Sequence, residues 1–227
     1  MDMKIKDIMT ELGGAFAVTW LIFGITVWNV ADNPAMGTSF VGLGMATLGG
    51  MLALGIAWMA FSGADILPPI TWMKAITSED LTDQNMWTAT IIRLITQVMG
   101  AILATIMMAK LQPDYVTAAT SWAANPPVGY EFAMWSIVGL IAAGAVLGQI
   151  HSKVENDWAM PIAVMAMAGL VNFESAADMA IMIMNGTEHA MAYAVPWLVD
   201  GVVIGVGALM GIKIDEMIAS VDDASEE

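Results

Sequence analysis

Phe61-Ser62-Gly63-Ala64-Asp65-Ile66-Leu67-Pro68-Pro69-Ile70-Thr71-Trp72 breaks a membrane-like hydrophobic sequence with small residues, an acid and two adjacent prolines. A second break, Phe173-Glu174-Ser175-Ala176-Ala177-Asp178, recurs about half a chain later. Interrupted segments in matching places of two halves point to a binding site or pore near the bilayer midplane.

The rest of the composition fits a membrane setting. The chain is 58% hydrophobic and only 13% charged, with a mean hydropathy of +0.71. A soluble domain of this size needs a polar surface that this sequence cannot supply. The long apolar runs approach the ~20 residues needed to cross ~30 Å of hydrocarbon. Short alternating segments of the β-barrel kind are absent. The expected class is an all-α polytopic membrane protein, and the first run reads as a helix rather than a cleaved leader. Cysteine is absent, which removes disulfides, thiolate catalysis and thiolate-bound metals. Net charge is −15, the acids gathering in connections and in a tail over 214–227. Seven basic residues without a patch argue against nucleic acid.

Six runs stand out, at Leu12–Val30, Phe40–Phe61, Thr88–Ala109, Phe132–Ile150, Trp158–Val171 and Ala190–Ile212. With the N- and C-termini cytoplasmic, Lys4, Lys6, Lys74, Lys153 and Lys213 lie in or beside cytoplasmic segments. Arg93 lies near a cytoplasmic end and only Lys110 at an outer one. That distribution fits the positive-inside rule. Trp28, Trp87, Trp122, Trp158 and Trp197 sit near run ends, as interfacial aromatics do.

The halves echo each other, over approximately 8–110 and 130–213 of a single domain. Glu11 precedes Gly24 by the interval at which Glu131 precedes Gly144. Ser62-Gly63-Ala64-Asp65 pairs with Ser175-Ala176-Ala177-Asp178, and Gly100-Ala101 with Gly207-Ala208. Three spans per half is an odd number, so the halves must be inverted. Small residues within the spans let helices approach closely, and the many methionines read as adaptable packing.

These motifs resemble the aquaporin and aquaglyceroporin (major intrinsic protein) family. Glu11-Leu12-Gly13-Gly14-Ala15-Phe16 with Phe23-Gly24 is similar to its first-span pattern E-x-x-G-T-x…F-G. Ser62 to Thr71 resembles S-G-A-H-x-N-P-A-V-T, Gln97-Val98-Met99-Gly100-Ala101 resembles Q-x-x-G-A, and Tyr193-Ala194-Val195-Pro196 resembles the start of the sixth span. The likeness is strongest from Glu11 to Ala104. It implies six transmembrane helices, two re-entrant half-helices, a 3+3 inverted repeat, a homotetramer and passive passage of water or small neutral solutes across a lipid bilayer.

The departures fall on the filter. Leu67-Pro68-Pro69 stands at the first N-P-A position and Asp65 at the family's histidine. In the second half the internal repeat puts Ala180 at the asparagine position and Ile183 at the arginine position. Counting back from Pro196 puts Asn172 and Ser175 there instead. Either register lacks the filter arginine, and the second-span filter position falls on Thr47. The resemblance thus implies pore or selectivity roles for Thr47, Asp65, Leu67, Pro68, Pro69, Ser175, Asp178, Ala180 and Ile183, and loop-bracing roles for Glu11 and Glu131.

Asp65 and Asp178 have two readings, as caps at half-helix N-termini or as pore charges that admit cations. Arg93 reads as snorkelling to the interface, and Asp200 within the sixth run is either water-facing or paired with Arg93. Two further functions stay open, a non-conducting structural or accessory subunit and a cation-leaky channel using Asp65 and Asp178. His151 and His189 lie on opposite faces in this topology and make no metal pair. No hydrolase elbow, phosphate loop or zinc-protease motif occurs. Neither enzyme activity nor a cofactor is expected.

Overall fold

The computed structural model describes residues 4–31, 45–111, 133–168, 170–171, 173 and 175–225. These form eight helices and no strand: α1 (Ile5–Ala31), α2 (Met45–Ala60), α3 (Pro68–Ile76), α4 (Gln84–Leu111), α5 (Met134–Lys153), α6 (Ala159–Met167), α7 (Ala176–Asn185) and α8 (Thr187–Ser225). Side chains at 23–31, 45–47, 187 and 222–225 lie outside the description.

Among the described residues, three helical stretches are long and apolar enough to cross a membrane: Gln84–Leu111, Met134–Lys153 and Glu188–Val221. The described part of the second run, from Met45, forms a helix of 16 residues. The fifth forms only nine helical residues, about 14 Å at ~1.5 Å rise per residue. Six full crossings are therefore not met by helix length among the described residues. α8 continues as helix through the acidic segment to Ser225.

Packing divides the helices into two sets of four. α1 packs on α2 and α4, and α5 packs on α6 and α8. The short α3 lies on α8 and α4, and the short α7 on α4 and α8, while α2 meets α6. Exchanging α1–α4 for α5–α8 returns the same set of neighbours.

The contacts also fix direction. Glu11 meets Gln97, and Gly100 faces Leu12 and Phe16, so α1 and α4 run together. Gly207 faces Ile141, Gly211 faces Ala145 and Lys153 pairs with Asp215, so α5 and α8 run together. Trp72 and Ile76 meet Gly201 and Gly205 in order, whereas Thr71 meets Gln97 and Lys74 shares Asp65 with Arg93. α3 is thus parallel to α8 and antiparallel to α4, which sets α4 against α8.

Glycine makes the long seams possible. A Cβ on Gly144 would stand 2.1 Å from the Ile204 carbonyl oxygen, and one on Gly100 2.4 Å from that of Leu12. In lipid, where apolar surface gives helices no reason to associate, such close approach supplies the dispersion contacts. The centre is an apolar cluster built around Leu54, Ile66, Met73, Leu147 and Ile204, with Leu67 and Phe173 packed against it.

Between α3 and α4 the chain turns on two aspartates. Asp80 accepts the Thr82 hydroxyl and N–H, which hold its acid below the usual carboxylate range. Asp83 accepts the Asn85 N–H at 2.8 Å. Such Asx turns compete well with helix and set where α4 begins.

Candidate functional site

The two sequence breaks lead into two of the short helices, α3 and α7, and each begins differently. Leu67 is the N-cap of α3, extended and without a side-chain cap bond, followed by Pro68 and Pro69 in the first turn. Proline suits that position because its φ is preset and it brings no orphan N–H. Leu67 carbonyl accepts the N–H of Ile70 and of Thr71, and Leu67 N–H donates to Asp65 carbonyl at 2.7 Å. Ile66 N–H goes to Glu11 Oε1 at 2.6 Å. Every N–H from Ile66 to Thr71 is occupied within the protein, so the start of α3 offers no donor outward.

The bond from Leu67 N–H to Asp65 carbonyl closes a γ-turn at Ile66, whose φ is +67°. A β-branched residue in that region is an outlier and costs about 1–3 kcal/mol that the surroundings must supply. The surroundings are Glu11 and Gly14. Glu11 Oε2 accepts the Asp65 N–H at 2.9 Å, and Gln97 Nε2 donates to Glu11 Oε1 at 2.6 Å and to Thr71 Oγ1 at 2.8 Å. All four residues are buried. Gly14 leaves room for the Ile66 side chain, which a Cβ there would meet at 2.7 Å. Gln97 Oε1 is left without a partner.

Asp65 is completely buried, yet it does not cap α3. Its carboxylate meets Lys74 Nζ at 2.6 Å and Arg93 Nη1 at 3.3 Å. The cap reading for Asp65 is therefore corrected, since the side chain points away from the helix start toward two cations. Arg93 turns to Asp65, a partner the sequence reading did not consider.

α7 begins with a capping box. Ser175 Oγ accepts the Asp178 N–H at 3.2 Å, while Asp178 Oδ2 accepts the Ser175 N–H and hydroxyl at 2.9 and 2.7 Å. This reciprocal arrangement satisfies donors that a helix start leaves over. Asp178 sits in the cap role named for it above. Trp197, expected at an interface, is instead buried and donates its indole N–H to Ser175 carbonyl at 2.9 Å. Ser175→Ala should lower unfolding free energy by about 1–2 kcal/mol. Thermal melts of purified protein test this, and an unchanged midpoint would count against the box.

The remaining site positions scatter. Pro68 and Pro69 are buried beside Leu67, and Ala180 is fully buried with Ala101 and Ala176 against α4. Ile183 is exposed. Thr47 lies in α2 with its side chain outside the description, and Glu131 and Asn172 are also outside it. Among the described residues no group of three His, Asp or Glu is placed to hold a metal. A cavity of about 520 Å³ opens beside the brace, between the first turns of α1 and α4 and the side of α3. Lys74 and Arg93 line it, and so do Lys4 and Lys6, which the sequence marked only as cytoplasmic boundary charges. No protein-family model matches the chain, and no curated protein shows significant similarity to it.

Proposed function

We propose that the protein is a passive membrane path for small neutral molecules, a six-span inverted repeat in which α3 and α7 are the re-entrant half-helices. The observation that carries this is the exchangeable packing of two four-helix sets running in opposite directions, each with one short helix laid against the other set's last helix. Resemblance of the Glu11, Ser62–Thr71 and Gln97 motifs to aquaporins supports the same reading, with a homotetramer in the cell membrane and cytoplasmic termini.

The chemistry of the centre narrows the solute. The start of α3 has no outward N–H, and Leu67 and Phe173 face an apolar cluster. Such a lining rewards ammonia or a dissolved gas over glycerol and urea, which need hydrogen-bond partners when they shed water. Water is an intermediate case. The cation-leak alternative loses its charges, because Asp65 is matched by Lys74 and Arg93 and Asp178 is engaged in a cap. A non-conducting structural subunit is the second reading, favoured by that same apolar filling.

Proteoliposomes decide between them. Stopped-flow assays should show ammonia or water movement above empty vesicles, slower glycerol and urea, and no cation current. Failure of every solute with folded protein in the vesicles would leave the structural reading. A cation current abolished in Asp65→Asn or Asp178→Asn would restore the leak.

A further inference from the structure

We propose that the cavity between α1, α3 and α4 is an oxyanion site that takes a phosphate group. Seven basic residues serve the whole chain, and four of them, Lys4, Lys6, Lys74 and Arg93, line this one space. They come from three separate segments, so local sequence does not account for their meeting. In a protein of net charge −15, gathering cations at one place has an electrostatic cost unless something there balances them.

Acids are present too, and their hydrogen bonding decides what the cavity still lacks. Asp7 accepts the Lys4 N–H, Asp83 accepts the Asn85 N–H, and Glu11 accepts two backbone N–H groups and Gln97. Lys74 and Arg93 each make one contact to Asp65, which stands behind the cavity wall. An ammonium carries about three N–H groups and a guanidinium about five, so most donors of both stay available, and their side chains are 35% and 33% exposed. Four cations against three lining acids and Asp65 cancel formally. The N-termini of the long helices α1 and α4 also open here, each adding roughly half a positive charge. The cavity has donors in excess, a slight positive balance and fixed geometry at Lys74 and Arg93, which suits a group with several acceptor oxygens.

The phosphate can belong to an anionic lipid headgroup or be free in solution. An exposed apolar ridge on α4, Ile91, Ile95 and Met99, leads away from the Arg93 turn and would take an acyl chain. Basic pockets of this kind between membrane helices hold anionic headgroups.

Purified protein in mild detergent is titrated with short-chain phosphatidylglycerol, short-chain phosphatidylcholine and inorganic phosphate, reading the thermal midpoint. A saturable rise with phosphatidylglycerol or with inorganic phosphate is expected, and which of them acts identifies the source. Lys4→Gln with Lys6→Gln leaves the Asp65 pairs intact and should weaken binding by about tenfold, two charge-assisted bonds being lost. Arg93→Lys keeps the charge beside Asp65 and removes the fork, again weakening binding while the ligand-free midpoint holds. Phosphatidylcholine acting as well as phosphatidylglycerol with no effect of inorganic phosphate, or affinity unchanged in both variants, would overturn the proposal.

Discussion

Glu11→Gln loses about 3–5 kcal/mol of unfolding free energy, because each hydrogen bond to a charged acceptor contributes about 1.5–3 kcal/mol and an unmet buried donor costs more. The carboxylate accepts Asp65 N–H on one oxygen and Ile66 N–H and Gln97 on the other. An amide in its place turns one of those acceptors into a donor facing a donor. The strained γ-turn at Ile66 then loses one of the two oxygens that hold it, and Asp65 is held less firmly between Lys74 and Arg93. Chemical or thermal unfolding in detergent measures the change. A loss below about 1 kcal/mol, the size of an ordinary substitution, would mean that the turn holds without the carboxylate.

Gly144→Ala is expected to be nearly as severe, at about 3 kcal/mol or more, the upper range for overpacking. The added methyl would stand 2.1 Å from Ile204 carbonyl oxygen, 2.9 Å from its carbon and 3.1 Å from Ala208 N. Backbone cannot swing aside as a side chain does, so α5 and α8 must part along a seam that Gly148, Gly207 and Gly211 also hold close. Gly139→Ala is the matched control on the same helix, since among the described residues its methyl meets only the Val171 side chain, at 3.1 Å. Equal losses in the two variants would show that the contact at Gly144 does not set the seam.

Much of the brace was legible in the sequence. Glu11, Ser62–Thr71 and Gln97 fall at spacings that a reader can match, and the structure brings those residues into one hydrogen-bonded group. Ser175 and Asp178 carry the three-residue spacing of a capping box in plain view. The two cations on Asp65 were not legible, because Lys74 and Arg93 lie in different helices and read separately as an ordinary boundary lysine and a snorkelling arginine. Trp197 misled for a similar reason. Position near a run end suggests an interface, whereas the choice between lipid and interior depends on which way α8 turns toward α7. Hydropathy marked six runs, but it could not foresee that the fifth would keep only the nine helical residues of α6, since apolar character says nothing about where backbone pairing stops.

The brace draws on residues 11, 65, 66, 71 and 97 only, all of them before the end of α4. A ribosome making this chain therefore releases every hydrogen-bonding partner of the strained turn before α5 is synthesised. The buried acid Glu11 need not wait for the second half to be met, and α3 can be locked in place while α8, its main support, does not yet exist. The first half is an assembly jig on which the later helices are laid.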